Sequence, residues 1–90
     1  MNVAELNLNL EIFRPPDISL QAFLRGERLY LLAWRRDGVL IHRAIRLLDP
    51  TTLSLDKLLS IIEQLRRCID KLAKKEFRGG RTEEAPRDEG

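Results

Sequence analysis

The groups able to do chemistry are few in this chain, and their spacing limits the chemistry available. His42 stands beside Arg43 and could act as a general base, but no serine, cysteine or second carboxylate lies at a readable spacing from it. It reads as an ordinary strand residue. Cys68 has no partner thiol and reads as an inert, semi-buried group on a helix flank. One Cys and one His supply neither an internal disulfide nor the three or four ligands of a zinc site, so no metal and no cofactor is expected. Gly79-Gly80 follows a helical pattern instead of opening one, which removes the context of a phosphate loop. The chain is read as non-enzymatic. What remains is a set of cations interleaved with aromatics, Arg28, Tyr30, Trp34, Arg36, His42 and Arg46, the residue types that stack unpaired bases while neutralising their phosphates.

Placing that set requires the elements that present it. Residues 28–35 and 39–48 are two β-rich runs flanking Arg36-Asp37-Gly38, and Asp-Gly between such runs signals a hairpin. If Asp37-Gly38 closes a three-residue loop, Arg28, Tyr30, Leu32, Trp34, Arg36, Leu40, His42 and Arg46 share one face. A two-residue turn shifts the register by one, bringing Arg43 onto the Trp34 face and taking His42 and Arg46 off it. The competing reading makes Tyr30 and Trp34 core or interface aromatics and the arginines a solvated rim.

The flanking segments complete a small domain. Ala4, Leu6, Leu8, Leu10 and Ile12 alternate with Glu5, Asn7, Asn9 and Glu11, which predicts a half-buried strand ended by Pro15-Pro16. Asp17 as N-cap and Gly26 as C′ bracket a short helix over residues 18–25, although Ile18, Leu20, Ala22 and Leu24 also fit strand alternation. After Asp49-Pro50, with Asp49 or Ser54 as cap, a long helix runs to a stop at Gly79-Gly80. Its residues Leu55, Leu58, Ile62, Leu65, Ile69 and Leu72 are spaced 3, 4, 3, 4, 3, a leucine-zipper-like seam. Leu59 and Ile61 widen the stripe in the first heptad, so the proximal half is expected to cover the sheet and the distal half to meet a second chain. The expected fold is α+β, a small antiparallel sheet in β-α-β-β-α order, forming one domain over residues 1–78 with the long helix at about 52–78 and a disordered acidic tail over 79–90.

Composition bounds the function. Ninety residues with 17 Leu and 7 Ile make one small core, which without disulfide or metal is commonly helped by oligomerisation, so a homodimer or higher is expected. Residues 1–81 carry 15 basic against 10 acidic groups, and residues 82–90 one against four. Twelve of the 16 cations are Arg, whose planar fork suits phosphate and whose face stacks on aromatics. The longest apolar run is six residues and the N-terminus lacks a basic leader region, so no membrane partner and a cytoplasmic location are expected.

Two resemblances bear on this plan. Ile45-Arg46-Leu47-Leu48-Asp49, then Leu53 and the apolar helix, resemble the small dimerisation subunit of the KEOPS complex, which supports threonylcarbamoyl modification of tRNA. That likeness implies a dimerisation or assembly subunit of a larger protein complex. An Arg after the leucine and an Asn-Ser pair within the helix, usual in that family, are absent here. The sheet joined to a zipper helix also resembles the ThermoDBP type of single-stranded-DNA-binding protein from hyperthermophilic archaea, with Leu55, Leu58, Ile62, Leu65, Ile69 and Leu72 in the zipper role. Single-stranded DNA or RNA is therefore the expected ligand, and a larger complex the alternative partner.

Overall fold

The computed structural model describes residues 2–82, with side chains as far as Lys75. The chain runs α1 (Val3–Phe13), β1 (Ser19–Arg25), β2 (Arg28–Asp37), β3 (Leu40–Leu48) and α2 (Leu55–Thr82). The strands form one antiparallel meander in the order β1-β2-β3. The class is α+β as expected, but the order is α-β-β-β-α, which corrects both predictions made for residues 4–25.

The first segment is a helix. Asn2 accepts from the Glu5 N–H at 2.8 Å and the Glu5 carboxylate accepts from the Asn2 N–H at 3.1 Å, a reciprocal capping box that closes the first turn. Of the alternating leucines, Leu6 and Leu10 are buried at 0% and 1% exposure, whereas Leu8 and Ile12 stand out at 67% and 71%. The buried pair is spaced by four, a distance shared by strand and helix periods, and the exposed pair decides for the helix.

The second segment is strand β1. Gly26 does not follow a helix as C′; with Glu27 it makes a two-residue turn in which Arg25 faces Arg28 and Gly26 takes φ +65°. Gly38 has the same φ in the β2–β3 turn, where Asp37 faces Leu40 across Gly38-Val39. Glycine at the first central position with positive φ is what a type II′ turn requires, and such turns match the twist of the strands they join. Neither glycine is hemmed in sterically, so conformation alone calls for it.

Both helices cover one face of the sheet. Leu20, Ala22, Leu29, Leu31, Ala33 and Leu48 from the strands meet Leu6 and Leu10 of α1 and Leu58, Ile61, Ile62, Leu65 and Ile69 of α2 in one core. Leu58, Ile62, Leu65 and Ile69 of the expected dimer seam are thus buried against the chain's own sheet, leaving Leu55 and Leu72 of that set exposed. Ser54 is the cap of α2, its hydroxyl accepting from the Lys57 N–H at 3.2 Å. The helix continues through Gly79 and Gly80 to Thr82, past its expected stop. The acidic stretch 83–90 lies outside the described residues. The free side of β1 is engaged by α1 at Ala22, where Asn7 receives the Ala22 N–H at 2.9 Å and donates its amide to the Ala22 carbonyl at 3.1 Å.

Candidate nucleic-acid interface

The open face of the sheet is set by the pleat and by the two tight turns. Because Asp37 faces Leu40, Trp34 lies opposite Arg43, Leu32 opposite Ile45 and Tyr30 opposite Leu47. On the other side Ser19 faces Trp34, Gln21 faces Leu32 and Phe23 faces Tyr30. Arg28, Tyr30, Trp34 and Arg36 of the expected set therefore share the open face. His42 and Arg46 do not. The two-residue turn sends them to the covered side and brings Arg43 in, the outcome tied above to the shorter loop.

Three aromatics now stand on this face. Phe23 and Tyr30 stack with ring centroids 5.6 Å apart and planes inclined by 23°, and both are half-buried by their neighbours. Trp34, also half-buried, lines two adjoining hollows. One, of about 310 Å³, is shared with Arg14, Asp17, Arg35, Arg36 and Ile41. The other, of about 240 Å³, is shared with Gln21, Leu32, Ile41 and Arg43. Arg25, Arg28, Arg36 and Arg43 are the charged strand residues of this face, and no acid stands among them. None of the four makes an ion pair or side-chain hydrogen bond among the described residues. Phe23, Gln21 and Arg25 were missed in the sequence because residues 18–25 were read as a helix. The signal that finds them is the alternation Ile18, Leu20, Ala22 followed by Arg25-Gly26-Glu27-Arg28, a tight-turn pattern.

The covered side treats its charges differently. The Arg35 guanidinium reaches Asp70 at 2.7 Å and Asp37 at 3.1 Å, and approaches Asp17 at 3.7 Å. The Asp70 hydrogen bond, aided by Asp37 against the desolvation of a largely buried side chain, raises its pKa above the ordinary arginine value. Arg66 meets Asp17 at 3.4 Å. His42 is 6% exposed with its Nε2 3.2 Å from the Asp37 carboxylate, and Arg46 donates to the Gln64 side chain. This network ties the loop before β1, the β2–β3 hairpin and α2 together at one end of the core. His42 and Arg46 serve the fold there.

Cys68 is exposed on α2. Among the described residues no three His, Cys, Asp or Glu side chains converge as a metal site would require. No helix among them is long and apolar enough to cross a membrane. Compared with protein-family models, with curated proteins and with solved structures, the chain has no match.

Proposed function

We propose that this is a non-enzymatic nucleic-acid-binding protein that takes single-stranded DNA or RNA on the open sheet face. The observation that supports it is the coincidence, on one face, of the Phe23–Tyr30 stack and Trp34 with four arginines that form no ion pair among the described residues. Bases stack on the rings at about 1–3 kcal/mol each, and phosphates take the guanidinium forks. Among the described residues no helix projects from this face to read base edges in a major groove, so sequence preference is expected to be weak.

Trp34 is the chain's single tryptophan, which makes the test direct. Its fluorescence is quenched on titration with an oligonucleotide of mixed sequence, and Trp34→Ala lowers affinity by at least about 1 kcal/mol with the circular dichroism unchanged. With four arginine contacts, the slope of log affinity against log salt is about −3. Unchanged fluorescence and no binding in low salt refute the reading. The alternative, a dimerisation or assembly subunit that docks on a larger protein complex such as a KEOPS-like one, is favoured by Ile45 and Leu47, exposed at 57% and 52% on this same face. Apolar docking of that kind resists high salt, and phosphate binding does not.

A further inference from the structure

The sheet has two edges, and among the described residues α1 engages β1 while nothing engages β3. Asn7 occupies the Ala22 N–H and carbonyl, so these groups point away from β2. In an antiparallel ladder the pointing direction alternates residue by residue. Leu31, opposite Ala22, therefore turns its backbone groups toward β3, and Arg46, opposite Leu31, turns its own back. It follows that Ile41, Arg43, Ile45 and Leu47 direct theirs outward from the free edge of β3. No described residue takes them up: no hydrogen bond to these four backbones exists outside the ladder. The strand is nine residues of unbroken register, without proline or bulge, and Arg43 is its one charged residue among the four that direct their backbone outward.

We infer that β3 pairs antiparallel with β3 of a second copy, forming a two-fold dimer with a continuous six-stranded sheet. A copy is the fitting occupant because the edge is complementary to itself. In the register that overlaps all nine residues, Ala44 lies on the axis, Ile41 faces the partner's Leu47, and Arg43 faces the partner's Ile45. Sliding by one pair to centre on Arg43 opposes two like charges and is disfavoured. With α1 seated against β1 at Ala22, pairing through the β3 edge closes at two and does not propagate. Beside the axis lies an open groove of about 500 Å³ between β3 and α2, lined by Ala44, Ile45, Cys68, Lys71, Leu72 and Lys75. The same groove of the partner meets it there, covering Leu72, the exposed end of the apolar seam. The contact is about 30 Å long, and the sheet and helix layers together stand about 20 Å high, which gives about 600 Å² per copy and about 1,200 Å² in total. That reaches the lower end of stable interfaces. The pairing needs no nucleic acid, and it sets two open faces side by side with both Arg43 residues near the axis.

Sedimentation of nuclease-treated protein from micromolar to millimolar concentration tests this. The expected result is twice the chain mass at the upper end, undiminished by salt because the rim cations Lys71 and Lys75 of the two copies repel. Ile45→Pro removes an outward N–H that the β2 ladder does not use and yields the monomer mass. Ile45→Lys keeps that N–H and sets a second cation opposite the partner's Arg43, raising the dimer dissociation constant at least about tenfold; it decides the matter should the proline variant lose its sheet by circular dichroism. A short bis-maleimide links Cys68 to the partner's Cys68 in the wild type, and the yield falls in Ile45→Lys. A monomer mass at every concentration, or a dimer that both folded variants retain, overturns the inference. Because the assay contains no oligonucleotide, either result is separable from failure of the nucleic-acid reading.

Discussion

Arg35 and Arg36 are neighbours in sequence and opposites in the structure. Arg35, on the covered face, is held by Asp70 and Asp37 with Asp17 close by, while Arg36, on the open face, makes no ion pair among the described residues. The same division runs through the whole sheet. On the covered side Arg35, Arg66, His42 and Arg46 each have a polar partner, and on the far side Arg25, Arg28, Arg36 and Arg43 have none among the described residues. Burial demands pairing at Arg35 and His42, because a charge taken from water without a partner is costly, so that pairing belongs to the fold. Surface charge carries no such demand. Four unpaired arginines gathered around aromatics on one exposed face are therefore a feature the fold does not need, and this is why they point to a ligand.

The sharpest way to break the comparison is at Leu31 and Leu32, one on each face. Leu31 is fully buried in the core, and Leu31→Ala is expected to destabilise the protein by about 2–5 kcal/mol in urea unfolding. Leu32 is half-buried on the open face, and Leu32→Ala should cost under about 1 kcal/mol. Equal losses at the two positions would mean that the open face is itself covered in solution, and the division into a structural and a binding face would fall.

A smaller effect separates the two arginines. Arg35→Ala leaves Asp70 without its donor and Asp37 with His42 alone, and is expected to cost about 1–3 kcal/mol of stability, with oligonucleotide affinity unchanged under conditions where the variant is folded. Arg36→Ala should move stability by no more than about 0.5 kcal/mol, yet reduce the salt slope of binding by about 0.7. An Arg35 variant that binds more weakly, or an Arg36 variant that unfolds, exchanges their roles. On the arginine side the stabilisation does not titrate in the ordinary range: a raised pKa contributes fully below the unfolded value and is lost only as pH climbs through the still higher folded one.

How much of this could be read from the residues follows the same division. The β2–β3 hairpin, the covering helix and the placement of Arg28, Tyr30, Trp34 and Arg36 on one face were legible, because alternation and the heptad stripe are local consequences of burial. His42 and Arg46 were misplaced by one residue of turn length, a choice that Asp37-Gly38-Val39 leaves open until the strands are paired. In α1 the period of two was genuine but only half used, since Leu6 and Leu10 are buried and Leu8 and Ile12 are not. The decisive local signal was the pair Asn2 and Glu5, spaced as a capping box. The heptad seam had two possible destinations, and the sheet lacked any other cover for Leu31 and Ala33, so the chain's own core took it. Nothing local marked Asn7 as the group that engages β1, because its partner Ala22 is 15 residues away.

The smallest expected effect lies at Asp49, in the turn that leads from the end of β3 to the helix on the covered side. Its carboxylate accepts from the Thr51 hydroxyl at 2.7 Å and from the Thr51 N–H at 3.0 Å, and these bonds hold its pKa below the ordinary 3.8. A depressed carboxylate adds stability that is present above the unfolded pKa and is lost as pH falls through the folded one. Asp49→Asn should therefore be slightly less stable than the wild type at pH 7, and the difference should shrink as pH falls below 3.8 and vanish below the lower folded pKa, as paired urea titrations would measure. The residue is fully solvated, so the gap is small. Oligonucleotide affinity at pH 7 should not change, because no strand residue of the open face depends on this turn for its charge. A variant that kept its stability and lost affinity would place the β3–α2 turn within the binding surface, and the boundary between the two faces would then run through Asp49 instead of along the sheet.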